Sequence, residues 1–297
     1  MTLVLASRDA FVRHVPLGFA FRDASDRSLV VDGLDVRISD AARPWRKTSL
    51  VSTPSGTWMT PRLPGLDAGL AEQPAQWPGS RRAFDLRVDD RFGRFLPMRA
   101  TVSLPLRGRY GWPAWSEFNQ ARIRPLLPAD APDDYAPDYF PLFPSIARPP
   151  PGPRSIVRAQ LAVRHADGSE RPASWAAMTV SVSNRIVALG VAGAGGAIVA
   201  SGAYPPLPSQ TVEQAAAGRS EVSWDATIRV YCDDLEGDPP ELGDILAQLS
   251  KTPRLALQDL GADEPPLPAQ TLTLGRPLIL ATMRSATERF STLYLKD

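Results

Sequence analysis

The chain has 297 residues, 43% hydrophobic and 22% charged, with a net charge of +1; that length is enough for two domains, and the charge balance excludes an overall basic field for nucleic acid or a membrane surface. Cys232 is the single cysteine, which excludes an internal disulfide and a cysteine-built zinc cluster. The 31 prolines, roughly double the usual usage, argue against long helices and for strands joined by extended loops.

The first residues, MTLVLASRDAFVRH, hold an apolar run of about five before Arg8 and Asp9, too short for the apolar region of a signal peptide. No later stretch approaches spanning length. Synthesis and folding in the cytoplasm are expected, with no signal peptide, and membership of a released or membrane-docked particle stays open. The basic residues are nearly all Arg, with Lys at 47, 251 and 296.

Short alternating or β-branched segments bounded by turn residues then read as strands: FAFRD (19–23), SLVV (28–31), LDVRI (34–38), FDLRV (84–88) and RATVSLPL (99–106). The pattern pauses over 125–153, PLLPADAPDDYAPDYFPLFPSIARPPPGP, which holds ten of the prolines; such a stretch is extended and poor at sheet pairing. It resumes with SIVRAQLAVR (155–164), SWAAMTVSVS (174–183), RIVALGV (185–191) and VSWDATIRVY (222–231), and ends with LTLGRPLILAT (272–282) and STLYLK (291–296). One helix is expected near 239–250, where Leu242, Ile245, Leu246 and Leu249 fall at helical spacing, Asp238 can cap, Pro240 suits the first turn and Pro253 bars continuation. TVEQAAAG (211–218) is a weaker helical candidate. The fold expected is mostly β: two tandem antiparallel β-sandwich domains, transthyretin-like or immunoglobulin-like, with one or two short helices. The N-terminal sandwich spans 1–108, an aromatic and proline-rich linker or docking arm 109–153, and the C-terminal sandwich 154–297.

Two regions repeat one order: strand, Asp-containing turn, alternating strand, Gly-bearing turn, short strand, Pro-rich exit. The first runs from FAFRDASDRSLVVDGLDVRI to STPSGTWMTPRLPGL; the second from VRAQLAVRHADGSERPASWAAMTVSV to IVALGVAGAGGAIVASGAYPPLP. In the first, Gly56 supplies a positive φ at the turn, Trp58 buries its face in the core and Leu63-Pro64-Gly65 turns the chain out of the sheet. Residues 53–66, with Asp167–Val182, resemble the transthyretin-like sandwiches called carboxypeptidase regulatory-like domains. That resemblance implies a folding and interaction module without catalytic residues. The second copy departs from it by carrying Ile198-Val199 where an aromatic is expected, and the first by a long insertion between strand and hairpin. The longer order PSGTWMTPRLPGL, FDLRVDDRFGRFLPMRATVSLP, PLFPSIARPPPGPRSIVRAQL, an Ala/Trp-containing strand and a closing TLTLGRPLILAT is similar to proteins encoded with phage-tail-like contractile injection systems. It implies a structural or accessory subunit, present in many copies and contacting other subunits of the particle.

Few residues point to chemistry. His14 and His165 are the only histidines, and no serine sits in a G-x-S-x-G elbow. Cys232 precedes Asp233-Asp234, whose charges disfavour a thiolate. Asp89-Asp90, Asp133-Asp134 with Asp138, and Asp233-Asp234 lack the spacing of a calcium loop. GVAGAGGA (190–197) lacks the Lys-Ser/Thr ending of a phosphate loop and reads as a hairpin turn. With three Lys, Asn119 and Asn184, an isopeptide crosslink is not expected. No catalytic, metal or cofactor site is expected, and no nucleic acid or membrane span.

The most informative feature is aromatic. Tyr110, Trp112, Trp115, Phe118, Tyr135, Tyr139, Phe140 and Phe143 put eight of 23 aromatics into 34 residues that are too proline-rich to form their own core. They form either a belt between the two sandwiches or an arm anchored in neighbouring subunits. Other readings are a carbohydrate-binding or adhesion module, with exposed Trp and Tyr stacking on sugars, and a hydrolase using a carboxylate pair.

Overall fold

The computed structural model describes residues 18–60, 63, 82–104, 120–127, 138–150, 152–207, 222–261, 263–285 and 287–297. Among these are eighteen strands and two short α-helices in several sheets, so the chain is mostly β. No helix among the described residues is long and apolar enough to cross a membrane.

In chain order the first half gives β1 (Gly18–Phe19), β2 (Phe21–Asp23), β3 (Leu34–Asp40), β4 (Arg43–Ser49), β5 (Val51–Ser52), β6 (Trp58–Met59), β7 (Arg82–Asp90) and β8 (Met98–Leu104), then α1 (Gln120–Ile123) and β9 (Phe140–Leu142). An antiparallel sheet of order β4-β3-β7-β8 holds its inner face with Val36, Ile38, Phe84, Leu86, Ala100 and Val102, all buried at period two. Facing residues of β1, β2, β6 and β9 bring in Phe19, Phe21, Trp58 and Phe140. The Phe21 ring stacks on Phe140 at 5.9 Å and meets Trp58 edge-on at 6.4 Å. Each such ring is worth about 1.5–3 kcal/mol of burial.

The hairpin from β5 to β6 is the stretch TPSGTW: Thr53 N–H bonds Thr57 O at 2.9 Å, and Gly56 takes φ +77° against the side chains of Leu29 and Val31. Pro64 and Gly65 lie outside the described residues, as does the helical candidate at 211–218. SLVV forms a single bridge, Arg22 to Leu29, instead of a strand. The Asp23 carboxylate takes the N–H and hydroxyl of Ser25 and ion-pairs with Arg148, which holds the turn after β2 tightly enough to end the pairing.

The proline-rich segment pairs better than its composition suggests. β9 runs parallel to β2, with Phe21 opposite Phe140. The ladder bonds go from Phe140 N–H to Ala20 O and from Ala24 N–H to Leu142 O, both 2.9 Å, so the donor missing at Pro141 is not called on.

The second half gives β10 (Ser155–Arg164), β11 (Glu170–Pro172), β12 (Ala177–Val182), β13 (Arg185–Val191), β14 (Ala197–Gly202), β15 (Ser223–Tyr231), α2 (Leu242–Ala247), β16 (Gln270–Thr273), β17 (Leu278–Leu280) and β18 (Leu293–Lys296). The main path is β11-β10-β14-β13-β12-β15-β16. The first half of β10 also takes β17, and its second half β18, both parallel. LTLGRPLILAT is therefore two strands, split where Gly275 takes φ +76°. Because one turn joins β16 to β17, and β17 returns to β10, the sheet rolls its two ends toward each other. GVAGAGGA is the turn between β13 and β14, closed by Gly193 N–H to Ala197 O.

One hydrophobic cluster lies inside this roll, around Val157, Leu161, Met178, Val180 and Leu272. The other unites the first half with the outside of the roll: Trp175, Ala177, Leu189, Val191 and Tyr231 join Ile38, Phe84, Ile123 and Leu126. Leu242, Ile245, Leu246 and Leu249 complete it, so α2 and the 3-10 turn Gln248–Ser250 after it bury the predicted face. Its cap differs from the expectation at Asp238. Glu241 is the N-cap and makes no side-chain cap bond; its carboxylate instead accepts the N–H and hydroxyl of Thr101 at 3.1 and 3.2 Å. Buried Gln248 then donates to Trp175 O and accepts from Asp233 N–H.

Where β13 crosses β14, Gly190 admits close backbone contact. A Cβ there would lie 2.5 Å from Val199 O and 2.9 Å from Ala200 Cα. Gly190→Ala is expected to lower the urea unfolding free energy by about 1–3 kcal/mol, whereas Gly195→Ala, with nothing within 4 Å of its would-be Cβ, should stay within about 0.5 kcal/mol of the parent.

Candidate functional site

Of the eight aromatics singled out from the sequence, Tyr110, Trp112, Trp115, Phe118 and Tyr135 lie outside the described residues. Tyr139, Phe140 and Phe143 are buried. The Tyr139 hydroxyl donates to Leu126 O under the guanidinium of Arg22, and Phe140 packs between Phe19 and Phe21. These three side chains serve the chain's own packing.

His14 is outside the described residues. His165 Nδ1 lies 2.6 Å from Asp297 Oδ2, and Arg254 donates to Asp297 Oδ1 at 2.6 Å. Ser169, in the same turn, gives its hydroxyl to Asp167. Hydrogen bonds from His165 and then Arg254 hold the Asp297 carboxyl below its ordinary range. Cys232 is buried, and burial pushes its thiol up.

The acidic pairs are largely tied to cations: Asp89 to Arg87, Asp90 to Arg94, Asp233 to Lys251 and Asp234 to Arg171. The hydrogen bond to Asp90 raises the Arg94 guanidinium further, with Asp32 adding to it. Asp138 is exposed, and Asp133-Asp134 are outside the described residues. Among the described residues no group of three or more His, Cys, Asp or Glu is placed to hold a metal ion.

The outer face of the β4-β3-β7-β8 sheet is more distinctive. Arg37, Arg87 and Arg99 form one cross-strand row, an arrangement that like-charge repulsion disfavours. Aspartates relieve it: Arg37 Nε bonds Asp35 at 3.1 Å, Arg87 Nε bonds Asp89 at 3.1 Å and Arg99 Nε bonds Asp85 at 2.7 Å. The Asp85 bond is the main reason the Arg99 guanidinium is raised. Beside this row lies a cleft of about 310 Å³, walled by Pro44 and Lys47 of β4 on one side and Asp85, Arg87 and Asp89 on the other.

β4 itself is exposed along nearly its whole length. Trp45 is 73% exposed, and Arg43, Arg46 and Lys47 have no side-chain ion pair or hydrogen bond among the described residues. Among the described residues β4 is also an edge of its sheet. Sequence reasoning passed over it because RPWRKTS shows no alternation. The available signal was a Trp among cations with a Pro inside a strand-length run, the composition of an edge.

A second cleft, of about 570 Å³, lies at one end of the rolled sheet beside Tyr204, Arg185 and Trp224. The Tyr204 and Trp224 rings stack at 5.5 Å; the indole N–H bonds Pro206 O, and the Tyr204 hydroxyl accepts the N–H of Gly275.

Two expectations follow from the buried thiol and the Asp297 side-chain carboxylate. Cys232 should resist a thiol reagent such as dithionitrobenzoate in the folded protein and react at once in denaturant, read as absorbance against time. Asp297 titrates lower when folded than unfolded, so its contribution is present above the unfolded value of about 4 and is lost as pH falls through the lower folded value. The melting temperature of the parent should therefore exceed that of Asp297→Asn at neutral pH, and the gap should close on acidification.

No family model, curated protein or solved structure matches the chain.

Proposed function

We propose that this chain is a non-enzymatic structural or accessory subunit of a phage-tail-like contractile injection assembly, in which two β-sandwich blocks act through protein–protein contacts. The observation that carries the protein-contact part is β4, a seven-residue edge strand that holds Trp45 in solvent with three exposed cations unpaired among the described residues. An open strand edge with an aromatic anchor is the kind of surface that partners cover. The contractile setting is supported by the order of the stretches 54–66, 84–105, 141–161 and 271–282. Its partners in this reading are other subunits of the particle, with the chain present in many copies and no nucleic acid involved.

A second reading, a carbohydrate-binding or adhesion module, is favoured by one observation: the 570 Å³ cleft beside the Tyr204–Trp224 pair. A glycan array separates it, since binding lost in Trp224→Ala would support it and an empty array would remove it.

The assembly reading is tested by tagging the chain in its native cells and isolating tail-like particles. The chain should co-purify at a fixed copy number and occupy a defined position in a cryo-EM map, with an interface of roughly 1,600 Å² in total. Particles that assemble normally while the chain stays in the free fraction would end the reading.

A further inference from the structure

We infer that copies of this chain associate head to tail, with the basic edge β4 of one copy seated on the acidic border beside β8 of the next. The inference rests on the assembly-subunit reading and names one of the partners: a second copy of the same chain.

The two borders belong to the same sheet. At one side stands β4, carrying Arg43, Arg46 and Lys47, and no acidic residue occurs between Asp40 and Asp67. At the other side stands β8. Glu241 bridges to Arg99 along its outer edge, and a Cβ at Gly237 would lie 3.6 Å from the Arg99 guanidinium. That places the stretch from Gly237 to Glu241 beside β8. The segment 233–241 that leads into it reads DDLEGDPPE and holds no cation. Asp233 and Asp234 are paired with Lys251 and Arg171; Glu236 and Asp238 are exposed and have no ion pair or hydrogen bond among the described residues.

Three strand spacings, on the order of 14 Å, separate β4 from β8, with β3 and β7 between them, so one molecule cannot bring its own borders together. The charge pattern then selects among ways for two copies to meet. Pairing β4 with β4 about a twofold axis would set three cations against three cations, and like charges at an interface oppose association. Border against border fails the same way. β4 against the acidic border is the complementary combination, and it is heterologous: every copy in such a pair keeps one border unmatched, so the contact propagates into a ring or a filament. Trp45, in the middle of β4, supplies the apolar anchor. Because these charges are exposed, the association weakens as salt shortens the screening length to about 8 Å and below.

The test uses the full chain and sedimentation velocity over a concentration series. The parent should gain mass with concentration at low salt and lose it at high salt. Trp45→Ala should weaken association by about tenfold or more. Arg43→Glu with Arg46→Glu and Lys47→Glu should be monomeric, and so should Glu236→Lys with Asp238→Lys. An equimolar mixture of these two charge-reversed variants should associate again, because each now complements the other at both borders. All altered residues are exposed, and far-ultraviolet circular dichroism checks that both variants keep the fold. A parent that stays monomeric at low salt, variants that associate like the parent, or a mixture that stays monomeric would each overturn the proposal. Self-association of a chain that never enters a particle would leave this contact standing and remove the assembly reading, while a strictly monomeric chain found in particles would do the reverse.

Discussion

The structure depends on one strand with no solvent face. All six residues of β12 are buried. Met178, Val180 and Val182 point into the rolled sheet of the second half, while Ala177, on the opposite side, belongs to the cluster built with the first half. A strand buried on both faces cannot be satisfied by either half of the chain alone. It forces the N-terminal sheets, α1 and α2 onto the outside of the roll, and that packing fixes where every other border of the molecule falls. The small side chains of Ala177, Thr179 and Ser181 are what allow the close approach. The cost is visible at Thr179, whose buried hydroxyl has no hydrogen-bond partner among the described residues.

The polar links across this wall follow from the same constraint. Gln248 is buried and uses both ends of its amide, donating to Trp175 O and accepting from Asp233 N–H. Arg122 donates to Lys251 O at 2.9 Å and lies over the Tyr231 ring at 4.9 Å. Asp23 and Arg148 tie the end of β2 to the stretch after β9, with Arg148 also over the Phe95 ring at 4.4 Å. Groups withdrawn from water need such partners. Their positions, between elements distant in sequence, explain why the two hydrophobic clusters do not divide where the prolines do.

Much of this was legible residue by residue. β3, β7, β8 and β10 alternate because one face of each meets a core, and their sequences alternate accordingly. Gly56 and Trp58 announced their turn and their burial, and Leu242 to Leu249 announced the face of α2. Other features had no local signal. The alternation of AMTVSV in β12 reads as one wet face, and only the tertiary packing buries Thr179 and Ser181. β9 pairs through Phe140 and Leu142 because the neighbouring carbonyl and amide happen to avoid Pro141. The aromatic segment displayed its composition but not its destination: Tyr139, Phe140 and Phe143 went into the core, while Trp45, one isolated aromatic in a basic run, stayed outside.

A whole-chain charge of +1 concealed the feature that matters most at the surface. Residues 41–60 contain no acid and residues 233–244 contain no base, yet the sum cancels. The fold converts that segregation along the chain into segregation across one sheet, by placing the first segment at the β4 edge and the second, from Gly237 to Glu241, beside β8. The two edges are then treated differently. Glu241 closes β8 from within by taking Thr101 N–H and its hydroxyl. Among the described residues β4 is guarded only by Pro44 and its cations, a defence that repels another copy of itself and leaves it open to an acidic surface. A net charge near zero excludes a global field and says nothing about a local one; the sheet order is what turns the latter into a direction.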